Sequence, residues 1–256
     1  MATSHIRPAA PVRGEPSRPG ADARSVQSSD FVLVRGLADT RATLDEWNDR
    51  PGPVVGRWVA GAFAISVALL FAVWLIATVS LPDPTAAFLP LSDQPHIGQV
   101  MHVMGRNALV LALHAMACVA GFIAGSSLPL EAQRQSGAWR WIHEKAGPLA
   151  IAFVICATTF SLVTQAFVLG SGTASLAAKL DVGPGLLLLG LLPHALPELV
   201  ALFLPLAAWM IASRQKDWHK LLAATVVTVL LAVPVLVASA FVEVYVSPGL
   251  LRWLAG

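Results

Sequence analysis

The chain has 256 residues, of which 56% are hydrophobic and only 12% charged, against roughly 25% charged in a soluble globular domain. That composition excludes an ordinary water-soluble enzyme or binding module, and nothing in it points to a nucleic-acid partner. The net charge of +2 says little by itself; its distribution along the chain says more.

The first 56 residues differ in kind from the rest. They are rich in Pro, Gly and Ser up to about Asp30, and such a segment buries too little apolar surface to order itself. A cytoplasmic tail over 1–56 is expected, disordered to about residue 30. Residues 40–50 read as a short amphipathic helix with Leu44 and Trp47 near one face.

Four windows then lack Asp, Glu, Lys and Arg altogether: 58–82, 107–130, 146–178 and 221–242. A further apolar stretch, 182–213, holds the single charge Glu198. Each is long enough to cross a hydrocarbon core, which takes roughly 20 residues. The expected spans are 57–80, 107–126, 148–170, 186–212 and 221–247. The fold class is therefore all-α: a polytopic membrane bundle of about five transmembrane helices over 57–248, with a short extracytoplasmic tail at 249–256.

Lys and Arg set the orientation. The tail to Arg57 holds eight; the successive segments 81–106, 127–147, 171–185, 213–220 and the final one hold one, three, one, three and one. The alternation is expected to put the amino terminus in the cytoplasm and the carboxyl terminus outside. Trp58, Trp209, Trp218 and Trp253 lie near span ends, where interfacial aromatics belong.

The informative residues are the polar ones at membrane depth, because such groups are costly in lipid and face a protein interior or a wet cavity. They are His114 in span two, His194 and Glu198 in span four, and Glu243 in span five, with Asn107 at the outer end of span two. His194 and Glu198 share a helix face at a spacing of i, i+4. Pro193 and Pro197 flank them, each removing a backbone donor, so span four is expected to be kinked or broken there. At about 1.5 Å per residue, His194 and Glu198 lie roughly 12 and 18 Å below the outer end of their span, and Glu243 roughly 6 Å below its own. His194, Glu198 and Glu243 are expected to form a hydrogen-bonded network joining spans four and five, with Asn107 or His114 contributing from span two and most of the cluster in the outer half of the membrane. Two readings stay open: the pair repairs the proline break, or it forms a functional site. Zinc takes His and carboxylate ligands, but a His-x-x-x-Glu spacing with a remote Glu is not a metal motif, so no metal or cofactor is expected. Cys118 and Cys156 read as packing residues. Gly121 and Gly125 form a small-xxx-small pair for close packing inside the bundle.

Two stretches carry a family resemblance. Pro193-His194-Ala195-Leu196-Pro197-Glu198-Leu199 resembles the Pro-His-Gly-x-x-Glu motif of the stage II sporulation protein M family, with Ala195 in place of its Gly. Ala238 to Pro248, reading Ala-Ser-Ala-Phe-Val-Glu-Val-Tyr-Val-Ser-Pro, resembles that family's closing Ala-x-x-Ile-Glu-x-Phe-Val-Thr-Pro pattern. Arg106-Asn107 looks like its asparagine before the second span. The resemblance implies a five-span, non-enzymatic membrane scaffold that recruits or localises envelope-remodelling proteins, with peptidoglycan hydrolases as candidate partners beside the lipid bilayer. The alternative is a transporter or channel subunit working through the His/Glu cluster; an intramembrane hydrolase ranks last, for want of a nucleophile.

Overall fold

The computed structural model describes residues 32–83, 94–129 and 136–254. The expected disorder of 1–30 lies outside these residues. Every regular element described is helical. Helix α1 (Val32–Asp49) precedes five long helices: α2 (Pro51–Val79), α3 (Ile97–Phe122), α4 (Gly137–Lys179), α5 (Pro184–Gln215) and α6 (Leu221–Phe241); α7 (Ser247–Leu254) closes the chain. π-helical turns prolong α3 over Ile123–Ser127 and α6 over Val242–Val246. The five spans are Pro51–Val79, Ile97–Ser126, Arg140–Lys179, Pro184–Gln215 and Trp218–Leu254, each long and apolar enough to cross a membrane.

Order and number agree with the sequence reading, but α2, α3 and α4 begin well before their charge-free windows, at residues 51, 97 and 137 against 58, 107 and 146. Charge marks where lipid ends, whereas helix ends are set by caps. Pro51 opens α2 and Pro184 opens α5, where a missing N–H costs nothing. Lys216, at φ +61°, ends α5 in the left-handed region. Arg106, expected in a loop, sits inside α3 for the same reason. The short helix expected at 40–50 reaches back to Val32.

The expected break of span four is absent. Helix α5 runs unbroken from Pro184 to Gln215 through Pro193, Pro197 and Pro205. Each proline forfeits one hydrogen bond among many, and α5 is held along its length by α2, α3 and α6. Irregularity falls instead at the ends of spans two and five, in the π turns.

Helix α5 is the hub. Phe203, Leu187 and Leu206 are almost wholly buried on it. Two of the expected interfacial tryptophans belong to the same core: Trp58 and Trp209 are 5% and 6% exposed, whereas Trp253 is 76% exposed. Trp58 meets Trp47 of α1 edge to face, with ring centroids 5.1 Å apart. Gly121 and Gly125 serve internal packing, against indole rings: a Cβ on Gly121 would come within 2.7 Å of Trp209 Nε1, and one on Gly125 within 2.2 Å of Trp218.

The two ends of the bundle differ in charge. At one end α1 meets the start of α6 through Lys220 Nζ, 3.1 Å from both Glu46 carboxylate oxygens, and Gly147 of α4 packs on the Ala124 carbonyl. The described Lys220, Lys145 and Arg214 thus lie on segments that meet at this end. At the other end Asp83 N–H donates to Ser175 Oγ at 3.0 Å, and Leu251 of α7 packs with Leu176 and Leu187.

Candidate functional site

A polar seam runs between α3, α5 and the end of α6. Buried positions on α3 recur at helical spacing: Val100, Val103, Asn107, Leu111, His114, Cys118 and Gly121. Two of them fasten α3 to the α5 backbone. His114 Nδ1 donates to the Leu202 carbonyl at 2.9 Å, and Cys118 Sγ to the Pro205 carbonyl at 3.1 Å. A carbonyl has two lone pairs, so these bonds add to the helix's own. With Nδ1 donating, His114 Nε2 holds the lone pair of the ring; it is buried without a partner. The ring also packs on Phe203, centroids 5.4 Å apart.

Nearer the other end, the two motif segments meet as antiparallel rungs. His194 and Glu198 are one turn apart on α5; Glu243 and Ser247 are four apart on the segment that returns beside it. The outer rung joins His194 Nδ1 to Ser247 Oγ at 2.7 Å, buried. Ser247 Oγ also donates to the Val242 carbonyl at 3.2 Å, five residues back, which leaves the Nδ1–H of His194 as donor of the rung. The inner rung sets Glu198 opposite Glu243, with Arg106 and Asn107 of α3 beside them. Arg106 Nη2 stands 4.0 Å from Glu243 Oε1, with the Arg106 side chain 62% exposed and that of Glu243 20%. The opening of the seam is therefore at Arg106. Asn107 is 3% exposed; it lies next to Glu198, yet its Nδ2, Glu198 Oε2 and Glu243 Oε2 are all buried without hydrogen-bond partners.

The structure therefore brings Asn107, Glu198 and Glu243 together and joins His194 to them through the same two helices. His114 forms a separate contact deeper along α3. No hydrogen bond links His194 to either glutamate. Arg106 and Ser247 complete the seam and were not singled out from the sequence. Ser247 had a signal: it repeats, from Glu243, the i, i+4 spacing of His194 and Glu198, and antiparallel helices align such pairs. Among the described residues no group of three or more His, Cys, Asp or Glu side chains is placed to hold a metal ion. Cys118 is buried and Cys156 exposed, both as free thiols.

Five apolar spans around an internal polar seam define a multi-pass helical membrane protein. Residues 146–248, across the last three spans, match the family model of stage II sporulation protein M. The match includes His194, Glu198, Glu243 and Ser247 and stops short of Asn107 and His114. It bears out the resemblance drawn from the two motifs. Stage II sporulation protein M is not known as an enzyme family. Neither the curated proteins nor the solved structures yield a match.

Proposed function

We propose that this protein is a non-enzymatic membrane scaffold of the stage II sporulation protein M type, which recruits or localises envelope-remodelling partners. The observation that carries the reading is the way the seam ends. Beyond Glu198, α5 presents Leu199, Leu202, Phe203, Leu204 and Leu206, all buried and packed in the largest apolar core. A group moving past Glu198 along α5 would meet close-packed hydrocarbon in which the polar side chains from α3, His114 and Cys118, are tied to the Leu202 and Pro205 carbonyls, and His114 Nε2 has no partner to continue a relay. In this reading His194, Ser247, Glu198, Glu243 and Asn107 fasten α3, α5 and α6 together and so fix the shape that partners recognise. Transport remains the second reading, favoured by the three unpartnered buried atoms beside Arg106.

One experiment separates the two. The purified chain in lipid vesicles should pass no small ion or solute above the rate of empty vesicles, while photo-crosslinking in native membranes should retrieve an envelope protein. Protein-dependent flux that Glu198→Gln abolishes would replace the scaffold by a transporter.

Orientation belongs to the same proposal: amino terminus in the cytoplasm, carboxyl terminus outside, from the alternating Lys and Arg counts. A reporter active only outside the cytoplasm should be silent when fused after residue 50 and active at the carboxyl terminus. Like behaviour of the two fusions would overturn that topology.

A further inference from the structure

Helix α4 is unlike the other spans. Only 6% of its most apolar 18-residue stretch is buried, against 22–39% for the other four. It leans on α2, where a Cβ on Gly170 would come within 2.6 Å of Ile76. Its contact with the end of α3 includes Gly147, near the end of the bundle that holds α1. An apolar face of this kind would by itself suit lipid.

The flank beside it does not. Gln165, half-buried and well inside the span, donates from Nε2 to Ser161 Oγ at 3.1 Å, one turn back on the same helix. That bond uses one of its two N–H groups and leaves the carbonyl oxygen free for an acceptor role. Thr164, exposed beside it, adds a hydroxyl, and exposed Ala157 stands one turn before Ser161. Ala157 and Ser161 make a small-xxx-small pair, which lets another helix backbone come close. Lipid tails offer no donor or acceptor, so a carboxamide at this depth is satisfied only by protein.

We propose that this flank of α4 is where two copies of the chain associate in the membrane, side by side about a two-fold axis along the membrane normal, with Gln165 of each copy hydrogen-bonded to Gln165 of the other. Two features select a second copy. A carboxamide is its own complement, since it both donates and accepts. Copies of one chain share one topology, so such an axis sets equal residues at equal depth and makes the contact self-complementary. A different protein would need a matching polar group placed at that depth independently. The inference does not depend on the scaffold reading.

The test uses the full chain, fluorescently tagged and diluted in lipid vesicles, with photobleaching steps counted per particle. Wild type should show two steps at protein densities where Gln165→Leu shows mainly one. The dissociation constant should weaken roughly three- to twenty-fold, the range spanned by single interhelical polar contacts, and Gln165→Asn should restore much of the loss. A wild type that stays single at every density, or a Gln165→Leu variant that pairs as wild type does, overturns the proposal. Disulfide trapping supplies a readout insensitive to folding losses. Native Cys156, exposed on the same helix, precedes Gln165 by nine residues and so lies about 180° around α4 at 3.6 residues per turn. Ala157→Cys, on the same flank and with Gln165 kept, in a background of Cys118→Ala and Cys156→Ala should trap dimers under mild oxidation, whereas the native cysteines alone should not. Trapping through Cys156 with none at position 157 would place the contact on another face and sink the proposal.

Discussion

Helices α4 and α5 are neighbours in sequence and have nearly equal mean hydropathy over their most apolar stretches, 2.0 and 1.9, yet they occupy opposite extremes of the bundle. Helix α5 is touched by α2, α3 and α6 and holds the polar seam; α4 rests mainly on α2. Hydropathy fixes that a segment crosses the membrane but carries no information on which way its sides face. The polar residues do. On α5, His194 and Glu198 face other helices of the same chain. On α4, Gln165 finds within the chain only a serine of its own helix. In lipid, where apolar contact with a neighbour gains little over contact with solvent, packing density and polar pairing decide which span is central.

The sharpest way to break this comparison is to cut matched aromatic side chains from the two helices. Phe203 on α5 is 0% exposed and Phe160 on α4 74%. Phe203→Ala should destabilise the bundle by about 3 kcal/mol, the low end of the usual range for core Phe→Ala, because lipid already solvates part of the lost surface in the separated helices. Phe160→Ala should stay within about 0.5 kcal/mol, as for a surface change. Denaturant titration in mixed micelles reads both. Equal losses would mean that α4 is as tightly enclosed as α5.

A second pair tests packing on α3. A Cβ on Gly125 would lie 2.2–2.3 Å from Trp218 ring carbons, whereas one on Gly105 meets nothing within 4 Å. Gly125→Ala should cost about 1–3 kcal/mol through overpacking. Gly105→Ala should be neutral or stabilise by up to about 1 kcal/mol through helix propensity. The same micelle titration separates them, and a harmless Gly125→Ala would show that Trp218 has room to move.

These contrasts mark how far the sequence alone reaches. Span number and order were readable because a bilayer demands long apolar runs. His114, His194, Glu198, Glu243 and Asn107 were readable as inward-facing because lipid penalises them. The course of α5 was not: Pro193 and Pro197 predict a break on local grounds, and what keeps the helix continuous is its neighbours. Trp58 and Trp209 were misplaced because an indole near a span end suits the interface and the core equally by composition. Arg106 was assigned to a loop because charge was used to end the span, although an arginine one residue before Asn107 reaches both the opening and Glu243. The pairing of His194 with Ser247 required knowing that spans four and five lie side by side and antiparallel, which short loops favour and only the three-dimensional structure displays.

A smaller effect tests the outer rung. Ser247→Ala removes the acceptor for His194 and leaves a buried imidazole N–H unpaired. The expected cost is about 0.6 kcal/mol, the average interhelical polar contact in a membrane, and at most about 1.7 kcal/mol. Ser247→Thr, which keeps the hydroxyl, should recover it. Loss of more than that range on Ser247→Ala alone would make the rung a keystone of the fold.

The smallest expected effect is the most discriminating. Glu198→Gln preserves size and leaves the carbonyl oxygen that faces Asn107. Its new amide N–H groups are donors where Glu243 Oε2 now has none, and the change removes one of two facing carboxylates. Stability should therefore shift by only a few tenths of a kcal/mol in either direction, on the order of other polar substitutions that find partners in a membrane. Glu198→Leu should cost more, because Asn107 Nδ2 and Glu243 Oε2, already buried without hydrogen-bond partners, would then also lose a polar neighbour and face hydrocarbon. If the seam only fastens helices, Glu198→Gln will retrieve the same crosslinked partner as wild type, and Glu198→Leu will lose it in proportion to unfolding. A Glu198→Gln protein that is fully folded but has lost partner capture or flux would instead mean that the carboxylate itself performs the function, and the inner rung would have to be counted as a working site rather than a fastening.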